Sequence, residues 1–179
     1  MSIISYRPRI TRIDPALIAK VRPMLSSLAL PASAPVEAAA LVAACRAASV
    51  QAGFPQVELL SLPGGLLRIE ASDGFGRGLI SEVQQDPTRG LTLVTEVAGV
   101  KDGSCQAVMG KFDEALASQG VISEPPRRKF TGGVAELAAA KAFLRRTAPR
   151  LAANQARRRT DRTCRLNSPA QAANSGRRQ

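Results

Sequence analysis

The sequence predicts an α+β domain, a four-stranded antiparallel meander with helices packed on one face, followed by a basic helical arm and a disordered tail. Three observations predict it. Apolar residues recur at three- and four-residue steps before Gly53, alternate from Val57 to Ala98, and return to the helical period after Ser104. Pro125-Pro126 then breaks the pattern, and beyond Leu151 the chain is Ala, Arg, Asn, Gln and Ser with almost no large apolar residue. The expected organisation is an α+β domain over residues 1–122, a basic linker and Ala-rich helix over 123–150, and a disordered basic tail over 151–179.

Each element has its own signal. Ile3 to Ile13 alternates loosely and reads as a short strand. Asp14-Pro15 starts a helix, with Asp as cap and Pro at the first helical position, and Leu17, Val21, Met24, Leu25 and Leu28 line one face. Pro23 should kink or divide it. After the linker from Leu30 to Pro35, a second helix from about Val36 to Ala52 carries Leu41, Val42, Cys45 and Ala48 on one stripe, and Gly53 fits just past its end. Val57 to Leu62 and Leu66 to Ala71 flank Pro63-Gly64-Gly65, a short turn that makes them a hairpin. Gly78 to Gln84 and Leu91 to Ala98 flank a longer turn and make a second. Leu91, Leu93, Thr95 and Val97 share a face that needs an apolar cover. A third helix, capped by Ser104 and striped with Cys105, Val108, Met109, Phe112, Ala115 and Leu116, can supply it before Gly120. Val134 to Thr147, with Leu137, Phe143 and Leu144, predicts a further helix ending near Pro149.

The formal charge of +11 over 179 residues is unevenly placed. Residues 127–179 hold 14 Lys/Arg against only Glu136 and Asp161, whereas residues 1–126 are close to neutral. A globular nucleic-acid reader carries its cations on the folded face, so the body is not marked as one. With His 0 in the chain, no His-based triad, imidazole acid/base pair or His metal site can form. Cys45, Cys105 and Cys164 offer neither a C-x-x-C knuckle nor a closed disulfide set. No metal or cofactor is expected. No uncharged apolar run approaches the ~18 residues that span a bilayer, and the N-terminus lacks a secretory pattern. Arg7, Arg9, Arg12, Lys20 and Arg22 echo a transit peptide, but Pro8, Pro15, Pro23 and Pro31 spoil one amphipathic helix. The expected location is the cytoplasm, with no membrane partner.

The most specific stretch is Glu96-Val97-Ala98-Gly99-Val100-Lys101-Asp102-Gly103-Ser104-Cys105, which leaves a strand and enters a helix. Over residues 79–120 it resembles a small bacterial family, domain of unknown function 2997, whose pattern is a strand, G-V-K-G-x-S-C and an amphipathic helix. Gly99, Val100, Lys101, Ser104 and Cys105 match that pattern; Asp102 stands where the family prefers glycine. Residues 1–71 are similar to the Ycf thirty-five family, domain of unknown function 1257, through the opening strand and Leu-spaced helix, then Ala48 to Phe54, Gly65, Leu67 and Ile69. Neither family has an established activity. Their frequent neighbourhood with ring-forming ATPases of the AAA class implies such a complex as the partner.

The leading expectation is a non-enzymatic interaction module, an accessory subunit of an AAA-type ATPase-containing complex, contacting it through Gly99, Val100, Lys101, Ser104 and Cys105. Two other readings stay open. One is a nucleic-acid-binding accessory protein that uses Arg157, Arg158, Arg159, Arg162 and Arg165 non-specifically, since the tail has no aromatic residue to stack on bases. The other is a thiol-based redox protein, because Cys105 in the first helical turn near Lys101 could ionise readily. Against it, Cys105 also fits as a small core residue beside Val108 and Met109. The Gly99 to Ser104 turn could hold an anion but lacks the G-K-[ST] ending of a phosphate loop. Asp73 to Gly78 reads as a flexible connection, and Asp113-Glu114 as a solvated face. The oligomeric state is open.

Overall fold

The computed structural model describes residues 2–28, 30–31, 34–100 and 103–131. The opening stretch forms two strands rather than one, β1 (Ser2–Tyr6) and β2 (Ile10–Ile13), because Pro8 interrupts the ladder between them. α1 (Pro15–Val21) follows, with the Asp14 carboxylate accepting from the Ala16 amide at 2.8 Å. At Pro23 the chain tightens into a 3-10 turn, Arg22–Ser27, so the proline does divide the helix. α2 (Val36–Gln51), β3 (Gln56–Leu62), β4 (Leu66–Ser72), β5 (Gly78–Asp86) and β6 (Gly90–Ala98) come next, then α3 (Cys105–Ser118), β7 (Val121–Ser123) and β8 (Arg127–Thr131).

The fold is α+β. Both hairpins are present: β3 pairs with β4 from Gln56↔Ser72 to Leu62↔Leu66, and β5 with β6 from Gly78↔Ala98 to Asp86↔Gly90. The second turn is pinned by Asp86, whose Oδ1 accepts from the amides of Thr88 (2.8 Å) and Arg89 (2.9 Å) and from the Thr88 hydroxyl (2.7 Å). Those bonds hold its carboxyl below the usual range. The expected four strands are nonetheless two short. The sheet has six, in the order β3-β4-β5-β6-β1-β8, while β2 and β7 form a separate pair. β1 lies antiparallel to β6, and β8 lies antiparallel to β1. Alternation within a strand does not say which other strand completes its ladder, so these long-range pairings were not legible.

The expected boundary at residue 122 is corrected in the same way. Arg127-Arg128-Lys129 begins a strand, not a linker; consecutive cations suit an edge, where they discourage further pairing. The arm and tail expected over 132–179 lie outside the described residues.

One face of the sheet presents Ile3, Leu67, Ile69, Ala71, Leu79, Val83, Leu93 and Val97 to α2 and α3, and all belong to one buried cluster. α3 adds Cys105, Val108, Met109, Phe112, Ala115 and Leu116, the stripe read from the sequence. α2 is buried more widely than its expected stripe: Ala38, Ala39, Ala40, Ala44 and Ser49 are also enclosed. It packs against the sheet, α1 and α3 at once, and small alanines let it approach all of them. Each large side chain here contributes roughly 1.5–3 kcal/mol.

Candidate functional site

The corner between β6 and α3 is built for folding as much as for contact. Val100 and Cys105 are buried in the main cluster. Cys105 is 2% exposed, so burial limits the approach of an oxidant to its thiol. Cys45 is likewise enclosed, and burial pushes its thiol well above the usual range. Gly99 has φ +75°, and a Cβ there would overlap the Gly76 carbonyl oxygen and stand 3.2 Å from the Arg77 Cα. Gly103 has φ +79° with open space around it and is exposed. Ser104 occupies the N-cap position, its carbonyl accepting from the Val108 amide at 3.0 Å, and is half-buried. Lys101 and Asp102 lie outside the described residues, as do Arg157, Arg158, Arg159, Arg162 and Arg165. Of the five motif residues, Val100 and Cys105 face inward, Gly99 and Ser104 are half-buried, and Gly103 beside them is exposed.

The loop against which Gly99 packs corrects a second expectation. Asp73 Oδ1 accepts from the amides of Phe75 (2.7 Å) and Arg77 (3.1 Å), and Asp73 Oδ2 accepts from Arg77 Nε at 2.7 Å. Ser72 Oγ accepts from the Gly74 amide at 3.0 Å. A loop so tied is a fixed support for the corner, not a flexible connection.

A better-formed concavity lies on the helix side. Ser81, Thr95 and Ser5 sit side by side on β5, β6 and β1, with Ser81 Oγ and Thr95 Oγ1 3.1 Å apart. All three are buried. The same row continues to Arg128 on β8, whose Nη2 reaches Asp113 Oδ2 of α3 at 2.5 Å. Asp113 is therefore half-buried and paired, with 32% of its side chain exposed, rather than freely solvated. Burial raises its carboxyl above the ordinary range, and the Arg128 guanidinium partly offsets this. Ser5, Thr95 and Asp113 line a groove of about 220 Å³ whose apolar walls include Phe112, Leu116 and Ile122. The chain matches no family model, no curated protein and no solved structure.

The opposite face of the sheet is chemically different. Glu58, Arg68, Glu70, Glu82 and Glu96 alternate with the core-facing residues and so point away from α2 and α3. Arg68 bonds Glu82 through Nη2 (2.7 Å) and Nε (2.9 Å) and stands 4.0 Å from Glu70. Glu96 is pushed up to about 7, first by burial and then by the Glu82 carboxylate. Among the described residues no group of three or more acidic or cysteine side chains could hold a metal ion, and no helix is long and apolar enough to cross a membrane.

Neither site was named from the sequence. The signal for the groove was available as Thr95 and Ser5, hydroxyls at core-facing strand positions, but only the pairing of β1 with β6 and of β8 with β1 brings them into one groove with Asp113.

Proposed function

We propose that this chain is a non-enzymatic interaction module that seats one side chain of a protein partner in the groove between α3 and β1. The observation that carries this reading is the groove itself. It has apolar walls, a buried hydroxyl row and one ion pair at its margin, and Ile122 in its lining is 51% exposed. Its volume of about 220 Å³ is below the ~300–1,000 Å³ usual for small-molecule sites and suits a single apolar or hydroxyl-bearing side chain. Phe130, another exposed apolar residue, lies two positions from Arg128 on the same strand face and extends the apolar surface there. The AAA-type ATPase complex implied by the resemblance is the proposed assembly. The exposed Gly103 and half-buried Ser104, with Lys101, are a subsidiary contact.

The test is affinity purification of the full chain from its own cells beside Ile122→Asp and Asp113→Asn variants. The reading expects a partner that is recovered by the parent and lost by Ile122→Asp while the variant stays folded. An ATPase among the lost proteins supports the assembly. Identical recovery by all three forms overturns the groove as the contact.

A further inference from the structure

We propose that β8 is an open sheet edge that takes an acidic extended segment of a protein partner as an added strand. The sheet ends in β3 on one side and β8 on the other. β3 is half-buried along almost its whole length, whereas Arg127, Arg128, Lys129 and Phe130 are all exposed. β8 pairs with β1, and among the described residues no strand pairs with its other side. Alternate residues of an antiparallel strand direct both backbone groups away from the neighbour, so about two or three of its five positions turn N–H and C=O groups outward. An extended peptide can bond to such a row.

The side chains decide which peptide. The register places Arg127 beside Tyr6 and Lys129 beside Ile4 on the helix-free face, while Arg128 and Phe130 stand beside Ser5 and Ile3 on the helix side. Arg128 is engaged with Asp113. Arg127 and Lys129 have no ion-pair partner among the described residues. Along the Lys129 row Ile4 intervenes, and the first carboxylate, Glu96, is two strand spacings away, about 10 Å. An incoming strand therefore meets two unpaired cations about 7 Å apart, the spacing of alternate strand residues, on one face. On the other face it meets Phe130, which is 61% exposed. Carboxylates alternating with apolar residues complement both faces. A second copy of the chain does not, because β8 against β8 brings Arg127, Arg128 and Lys129 of each copy to one seam, and Arg127–Thr131 holds no carboxylate. The cations that keep copies apart thus select an acidic partner. This edge does not depend on the groove reading.

The test titrates the full chain with a blocked seven-residue peptide in which glutamate alternates with valine, followed by calorimetry and by hydrogen exchange. The proposal expects binding that slows exchange at amides within 127–131. Affinity should fall at least about tenfold when lysine replaces glutamate in the peptide, when the same residues are rearranged as a glutamate block and a valine block, and when the chain carries Arg127→Glu with Lys129→Glu. The charge-reversed chain should bind the lysine peptide instead, which also shows that it is folded. Ile122→Asp should bind the glutamate peptide as the parent does, so a failure of the groove reading leaves this one standing; loss of the peptide there moves the contact to the groove and overturns the edge. Absence of binding at millimolar peptide, equal binding of the block peptide, protection confined to other amides, or a charge-reversed chain that binds neither peptide overturns the proposal. Tighter binding of an oligothymidylate of equal charge, with the same dependence on Arg127 and Lys129, assigns the edge to nucleic acid and also overturns it.

Discussion

Replacing Gly99 and Gly103 by alanine, one at a time, separates the two roles open to the β6–α3 corner. Both glycines have left-handed φ values, +75° and +79°, so an alanine at either meets the same backbone penalty of roughly 1–2 kcal/mol. Their surroundings differ. The new Cβ at Gly103 meets nothing within 4 Å, whereas at Gly99 it overlaps the Gly76 carbonyl oxygen. The Gly76 backbone cannot simply step aside, because Asp73 ties both ends of its loop. Overpacking against fixed structure adds about 1–3 kcal/mol. Gly99→Ala should therefore cost ~2–5 kcal/mol and Gly103→Ala ~1–2 kcal/mol. Urea denaturation of the full chain, with the slope checked for two-state behaviour, measures both. Equal losses at the two positions, or a gain from Gly99→Ala, would refute the packing argument and return Gly99 to the contact surface.

Two further predictions concern polar groups. The fold raises the Glu96 carboxyl from 4.5 to about 7, so it favours the protonated form. The associated stability is fully present below pH 4.5 and is lost as the pH rises through 7. Glu96→Gln, neutral throughout, should match the parent near pH 4 and exceed it by about 1–2 kcal/mol at pH 8, after allowance for solvent screening. Denaturation curves at the two pH values decide it, and an equal difference at both counts against the shift. Asp73→Ala removes the acceptor of three loop hydrogen bonds and should destabilise by ~1–3 kcal/mol. Hydrogen exchange should quicken at the Phe75 and Arg77 amides; unchanged exchange there would show that other contacts hold the loop.

The local elements were legible because their signals are local. Asp14-Pro15 capped α1 as expected, Pro23 divided it, and the stripe from Cys105 to Leu116 became the buried side of α3. Pairings across the chain were not. Ile3 reads as apolar in any setting, and nothing near it says that Val97 and Phe130 will flank it. Composition marks the basic run at Arg127 as linker, yet an edge strand next to β1 tolerates such residues. Asp113 illustrates the same gap. Its neighbour Glu114 is exposed as expected, and only the arrival of β8 gives Asp113 a guanidinium partner.

The groove and the carboxylate face lie on opposite sides of one sheet, so a substitution on one can be tested for its effect on the other, and Glu96 turns that test into a titration. Its raised carboxyl is caused first by burial and then by the Glu82 carboxylate. Ile122→Asp, on the groove side, should leave the advantage of Glu96→Gln at pH 8 unchanged to within about 0.5 kcal/mol, because the sheet separates the two positions and distant, independent sites add. A shift of that advantage in the Ile122→Asp background would show that the strands couple the two faces.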